Sequence, residues 1–378
     1  MKINSAAVIG TGFIGTVHVE SIRRTGVQVK GVLAGNTQST KAGAKKLLVD
    51  KAYESLDQIC DDKDVSVVHV TSPNALHYGQ VKQLLTAGKH VVCEKPLALS
   101  AKEGKELVEL AKKTGLVNAT CFNTRFYPMV HEAKHLISQK LIGAPRYVKG
   151  HYHQDWLTLD TDWNWRLESE KAGELRAVAD IGSHLIDQIG FVTGLKVSEV
   201  FADLHTLVPV RQKPTGPVQT FTIDSTSVRK PVTMSSDDAA GILLRFSNGA
   251  RATISISQIS SGRKNSINWE ISGPEGSLAF DSENPEQLWI GHRGRANEVL
   301  HKDPAMLSPA AAKTAFYPGG HVEGFSETFR GLFERVYEDI NKGTQSHSYP
   351  TFADGVKSLE ITDAIAQSSK NSAWVKIT

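Results

Sequence analysis

The sequence predicts two domains of different class: an N-terminal doubly wound α/β domain on a parallel sheet, and a C-terminal α+β domain on a mostly antiparallel sheet. Three observations predict it. Over the first ~120 residues short apolar runs alternate with longer amphipathic ones, the rhythm of strand-helix-strand units. A Gly-x-Gly-x-x-Gly at Gly10, Gly12 and Gly15 falls between the first strand and the first helix. After Asn123 the texture changes to strands punctuated by Gly and Asn turns.

In the first domain, strands are read at Ala6–Ile9, Val27–Leu33, Val65–Val70, His90–Cys93 and Val117–Cys121. They are continuous Val- and Ile-rich runs, as strands covered on both faces are. Helices are read at Gly15–Thr25, Thr40–Lys46, Leu56–Cys60, Gly79–Ala87 and Ala101–Thr114, the last with Ser100 and Glu103 as a capping box. A helix over Met129–Gln139 follows and ends near Gly143-Ala144-Pro145. Strands then come at Arg146–His153, Glu199–Leu207, Ala239–Phe246, Arg251–Gln258, Ser266–Ser272 and Gly276–Asp281. Asn248-Gly249 and Glu275-Gly276 are hairpin turns, so antiparallel pairing is expected. Residues 291–320 have weak periodicity and read as a long surface excursion before helices at Val322–Asn341 and Phe352–Ser369 and a strand at Trp374–Ile377. The expected divisions are 1–122 for the nucleotide domain, 123–350 for the substrate domain, and 351–378 for a C-terminal helix and strand packing back on both.

Size and charge fit this reading. The 378 residues make roughly two domains of ~100–200 residues. With 43 Lys+Arg against 40 Asp+Glu and no basic run, no nucleic-acid or membrane-surface partner is expected. No apolar run approaches the ~18 residues of a membrane span, and Met1-Lys2 leads into a strand rather than a signal peptide, so a cytoplasmic protein is expected. Cys60, Cys93 and Cys121 are odd in number and widely spaced, which suits buried thiols better than disulfides or zinc.

The glycine motif points to a dinucleotide. Gly10 allows the tight turn, Gly12 admits a pyrophosphate, Gly15 lets helix pack on strand, and the helix opened by Phe13 and Ile14 offers N–H groups to phosphate. The acid that would hold an adenosine ribose is missing: the second strand ends Leu33-Ala34-Gly35-Asn36-Thr37, where Asn36 and Thr37 suit NAD or NADP, with a lean to NADP. Thr71-Ser72-Pro73-Asn74 and His77 follow the third of these strands on the carboxyl edge where ligands lie. Glu94-Lys95-Pro96 follows the next one, and the proline holds Lys95 extended at a rigid strand end. A lysine beside a nicotinamide is a candidate proton donor or acceptor for a hydroxyl.

A second constellation is Asp180-Ile181-Gly182-Ser183-His184. If Asp180 starts a helix, then Asp180, His184 and Asp187 share one face, suited to holding polyol hydroxyls and moving a proton. Asp-x-x-x-His is also compatible with two metal ligands, but no third is implied nearby and no metal is expected. Tyr152, Trp156, Trp163, Trp165 and Arg166 offer the mixture of aromatic faces and polar groups that a sugar ring uses, or else a small satellite core. Tyr317 and His321 are further candidates before the next helix.

Taken in order, Gly10–Gly15, Glu94-Lys95-Pro96, Asn123-Thr124-Arg125-Phe126 and Asp180-Ile181-Gly182-Ser183-His184 resemble the Gfo/Idh/MocA family across nearly the whole chain. The resemblance implies an N-terminal Rossmann domain, a C-terminal α+β domain whose open antiparallel sheet forms the substrate floor, a catalytic set at Lys95, Asp180 and His184, cofactor contacts including Glu94 and Asn123, and substrate contacts including Arg125. It implies NAD(P)-dependent oxidation of a sugar, inositol or related polyol in a homo-oligomer assembled through the open sheet. Two other outcomes stay open: an enzyme that recycles a bound cofactor for epimerisation, transfer or glycoside cleavage, and a catalytically silent cofactor sensor.

Overall fold

The computed structural model describes residues 3–216 and 228–377. The chain forms two compact units, one of Met1–Asn123, Glu170–Gly173 and Phe329–Leu359, the other of Thr124–Ser169, Glu174–Thr328 and Glu360–Thr378.

In the first unit the strands are β1 (Ser5–Ile9), β2 (Gln28–Leu33), β3 (Lys51–Ala52), β4 (Val65–Val70), β5 (His90–Cys93) and β6 (Asn118–Thr120). They form a parallel sheet in the order β3-β2-β1-β4-β5-β6. Helices α1 (Phe13–Arg24), α2 (Thr37–Lys46), α3 (Leu56–Asp61), α4 (His77–Thr86) and α5 (Ala101–Thr114) make the crossovers. The order reverses between β1 and β4, which opens a crevice at their carboxyl ends. All of β1 is buried, as its unbroken apolar run requires. Ser100 caps α5 by accepting from the Glu103 N–H, while Glu103 reaches back to the Leu99 N–H.

Phe329–Leu359 joins this unit, whereas the sequence placed residues up to 350 with the second domain. Phe329, Phe333 and Tyr337 lie at four-residue spacing, and all three rings contact His18 or His69. Such spacing announces a helix with one buried face but not what buries it. Phe352, Val356 and Leu359 enter a core with Val81 and Leu84 of α4 and Leu107 and Ala111 of α5. Gly104 makes room for them, since a Cβ there would press on Val356 and Leu359 at 3.0 Å.

The second unit carries a nine-stranded sheet. Its strands are β7 (Tyr147–His153), β8 (Val197–His205), β11 (Ala239–Phe246), β12 (Arg251–Ser257), β13 (Ser266–Ser272), β14 (Gly276–Asp281), β15 (Gln287–His292), β16 (Glu298–His301) and β17 (Val375–Lys376), while β9 (Val210–Pro214) and β10 (Arg229–Thr233) form a separate ribbon. The two foreseen hairpins, β11–β12 and β13–β14, are antiparallel. β7 instead pairs parallel with β12, because a partner about a hundred residues away is not bound by hairpin geometry. The expected excursion at 291–320 holds β16, paired with β15, and a short helix, Pro309–Ala312. Buried residues alternate along β11, and that face packs with helices α6 (Pro128–Ser138) and α7 (Ser183–Thr193) in one core.

All three cysteines are free thiols. Among the described residues no helix is long and apolar enough to cross a membrane.

Candidate active site

The glycine turn in the first unit is built as its spacing requires. Gly10 sits at φ +106°, and a Cβ on it would strike Thr71, which reaches across from the end of β4 to donate to the Ile9 carbonyl at 2.8 Å. A Cβ on Gly15 would collide with the Gly10 carbonyl, so this glycine is a packing requirement. Gly12 differs: a Cβ there meets nothing within 4 Å. The open space lies beside the α1 N-terminus, whose Gly12 cap supplies no side-chain bond, so the turn fits a dinucleotide pyrophosphate. Phe13 is half exposed and Ile14 partly buried beside it.

Asn36 and Thr37 are exposed at the start of α2. Asn36 Oδ1 is committed to a capping box, accepting from the Ser39 N–H at 2.8 Å. Ser72 donates to Gln80 at 2.6 Å, and Asn74 donates to the Ala172 carbonyl at 2.9 Å. His77 is fully buried, with its two ring nitrogens 2.7 Å from the Pro96 carbonyl and 2.8 Å from the Ser72 carbonyl. It therefore ties the β4 loop to the Lys95–Pro96 turn instead of facing a ligand. Burial pushes its pKa down, against the upward pull of those carbonyls and of Glu94.

Lys95 is half-buried at the end of β5, and its backbone N–H lies 3.3 Å from Glu94 Oε2. Glu94 accepts from His18 at 3.0 Å. Burial pushes the Glu94 carboxyl up, but His18, Lys95 and Cys121 outweigh it and hold it at about 2. Asn123 is buried in a single 3-10 turn after β6. His18 was not foreseen, since an apolar-looking helix position gives no sign of what stands opposite.

In the second unit Asp180 does not start a regular helix. It lies in a π-helical turn, Val178–Gly182, that leads into α7. Such turns recur at functional sites because they re-aim side chains. Asp237 anchors the entry by accepting from the N–H groups of Arg176 and Val178 at 2.6 and 2.8 Å. Both Asp180 carboxylate oxygens are engaged, Oδ1 by Arg166 Nε at 3.0 Å and Oδ2 by Gln258 Nε2 at 2.9 Å. His184 is buried, with Nδ1 3.5 Å from the Thr124 hydroxyl and the Tyr152 ring centred 6.4 Å away. Asp187 does not join this pair: Arg125 donates to it through Nε and Nη2 at 2.7 and 2.5 Å while lying over Phe191.

The aromatic segment is braced. Trp156 donates to Gln154 at 2.7 Å, and Gln154 and Tyr152 both donate to Asn265 Oδ1. Arg166 stacks on Trp165, and Lys213 lies over Trp163. Arg211, fully buried, donates to the Leu157 and Leu159 carbonyls and to Asp238. Tyr317 and His321 are exposed, and the His321 carbonyl is held by Lys302 at 2.7 Å. Gln258 and Asn265 are polar residues of this site that no motif announced; their significance comes from partners 78 and 113 positions away.

Comparison with known proteins finds relatives over both parts of the chain. Residues 5–121 match the model of the Gfo/Idh/MocA oxidoreductase family, NAD-binding Rossmann fold, and residues 130–279 match a Gfo/Idh/MocA C-terminal domain. Levoglucosan dehydrogenase of Pseudarthrobacter phenanthrenivorans is 28% identical, covering 100% of this chain and 99% of its own. A solved structure of levoglucosan dehydrogenase with NADH and L-sorbose superposes with a TM-score of 0.89 at 28% identity over 100% of both chains. 1,5-Anhydro-D-fructose reductase of Ensifer adhaerens is 30% identical over 50% of this chain and 56% of its own. The chain belongs to the Gfo/Idh/MocA family and is an NAD-binding oxidoreductase. The lean to NADP drawn from the missing acid finds no support in these relatives, two of whose solved forms are described with NADH.

Proposed function

We propose that this member of the Gfo/Idh/MocA family reversibly oxidises a secondary hydroxyl of a sugar or related polyol, with Lys95, Asp180 and His184 as its catalytic residues. The nicotinamide, when bound, accepts the hydride. His184 takes the hydroxyl proton, Lys95 polarises the oxygen, and Asp180 orients the substrate. The observation that carries this division of labour is the state of Asp180. A carboxylate with one oxygen on a guanidinium and the other on an amide is held as an anion and fixed in place, which suits binding better than proton exchange. His184, buried with Nδ1 3.5 Å from the Thr124 hydroxyl, is the group of this pair suited to general-base work. Tyr152, Trp156, Trp163, Trp165 and Arg166 serve the sugar, as carbohydrate-acting relatives and the clustering of indoles suggest.

The test follows reduced-nicotinamide absorbance with NAD+ and NADP+ against anhydrosugars, aldoses, inositols and sugar acids. NAD+ is the expected partner. In Lys95→Met and His184→Asn, turnover should fall by about 10²–10⁴ while NADH still binds. Undiminished turnover in Lys95→Met removes it from the mechanism, and silence across the panel with NADH bound favours a sensor.

A further inference from the structure

Behind Lys95 the first unit contains a continuous buried hydrogen-bond chain that the reading above does not use. Tyr337 Oη lies 2.7 Å from His69 Nε2, His69 Nδ1 lies 3.0 Å from His18 Nδ1, and His18 Nε2 lies 3.0 Å from Glu94 Oε1. The second Glu94 oxygen receives the Lys95 N–H. His18 and His69 are both 0% exposed and are walled by Phe329 and Phe333. Four separate elements, α1, β4, the end of β5 and the helix carrying Tyr337, thus contribute to one polar line through an aromatic core.

The direct approach of two Nδ1 atoms is informative, because only one proton can lie between them. A carboxylate at one end can only accept, so His18 carries its proton on Nε2. A phenol at the other end, its ionisation suppressed by burial, keeps its proton and donates it to His69 Nε2. His69, held neutral by burial, then carries its proton on Nδ1 and passes the polarity to His18. Every bond in the line points toward Glu94. The other ionisable groups around that carboxylate are Lys95, the Cys93 and Cys121 thiols, whose ionisation burial opposes, and His77.

We propose that His18 is a positioning residue for Lys95: it donates to Glu94 through a tautomer fixed by His69 and Tyr337, and so keeps a charged, immobile carboxylate directly behind the reactive lysine. The proposal rests on the reading of Lys95 as an acid–base group. A buried carboxylate stripped of its donor becomes easier to protonate, and a protonated Glu94 no longer supports an ammonium.

The test has two independent readouts on the full-length protein. In ¹⁵N-histidine spectra, His18 should be protonated at Nε2 and His69 at Nδ1 at neutral pH, and Tyr337→Phe should release the His69 tautomer without disturbing the fold. In kinetics, His18→Leu should lose about tenfold or more in kcat and gain a new ionisation on the acid limb. His18→Gln, whose amide can still donate to Glu94, should restore most of that loss. A spectrum with His69 protonated at Nε2, or equal kcat and pH profile for the Leu and Gln variants, overturns the proposal. If Lys95→Met keeps its turnover while the tautomer pair is as described, the fault lies with the assignment of Lys95. If Lys95 is essential but the tautomers are reversed, this inference alone fails.

Discussion

Arg125 stands in a motif through which the family resemblance assigns it to substrate, yet its guanidinium is bound by Asp187, and this contrast can be measured. The side chains of the pair are 12% and 6% exposed, the contact is bidentate, and Phe191 lies under the guanidinium. Asp187→Ala would leave a largely buried arginine without its carboxylate, a loss of about 3–5 kcal/mol. For a unit of this size that corresponds to roughly 6–20 °C in melting temperature. Arg125→Met/Asp187→Leu, which removes both charges and fills the space with apolar atoms, should recover most of the loss, because the cost comes from the orphaned charge more than from the missing attraction. The assay is a thermal melt of wild type, both single variants and the double variant, with KM for the sugar measured on each. A structural pair predicts a large coupling in stability and little change in KM for the double variant. If Arg125→Met melts like wild type while KM rises by an order of magnitude or more, the guanidinium serves the substrate and this reasoning is wrong.

Three further outcomes follow from the same geometry. Gly12→Ala should fold normally, because its Cβ enters open space, yet bind NADH more weakly in a fluorescence titration; Gly15→Ala, driven into the Gly10 carbonyl, should lose folded protein as well. Asp237→Ala should cost about 1–3 kcal/mol or more in denaturant unfolding, since two N–H groups at the π-turn lose their acceptor, and should lower kcat by letting Asp180 drift. His90, lowered to about 4 mainly by burial, accepts the Val117 N–H on Nδ1 and so must be neutral when folded. Its contribution is therefore fully present above the unfolded value of about 6.5 and is lost as pH falls toward 4. Melting temperature should drop across that window, less steeply in His90→Gln; identical slopes would remove His90 as the cause.

Legibility in the sequence followed the range of the interaction. The Gly10–Gly15 turn, the Ser100 cap and the Asn248-Gly249 hairpin were readable because each is decided within a few residues: a glycine spacing, a side chain reaching three positions on, a two-residue reversal. The strands of the doubly wound sheet were readable for a related reason, since burial on both faces leaves an unbroken apolar run in the sequence itself. At the site, Lys95 could be placed at a strand end because proline restricts its neighbour, whereas the one-face arrangement expected of Asp180, His184 and Asp187 assumed a regular helix that a π-turn interrupts.

By itself, then, the sequence determined the parallel N-terminal sheet, the antiparallel texture that follows, and the residue types available for hydride chemistry. Only the tertiary structure decided that Asp187 goes to Arg125, that β7 runs parallel to β12, that Phe329–Leu359 packs with the first unit, and that His18 stands behind Glu94. A hydrophobic period states which side of a helix or strand must leave water and is indifferent to what covers it. The partner is settled by shape and by the need of each buried polar group to find its complement, wherever along the chain that complement lies.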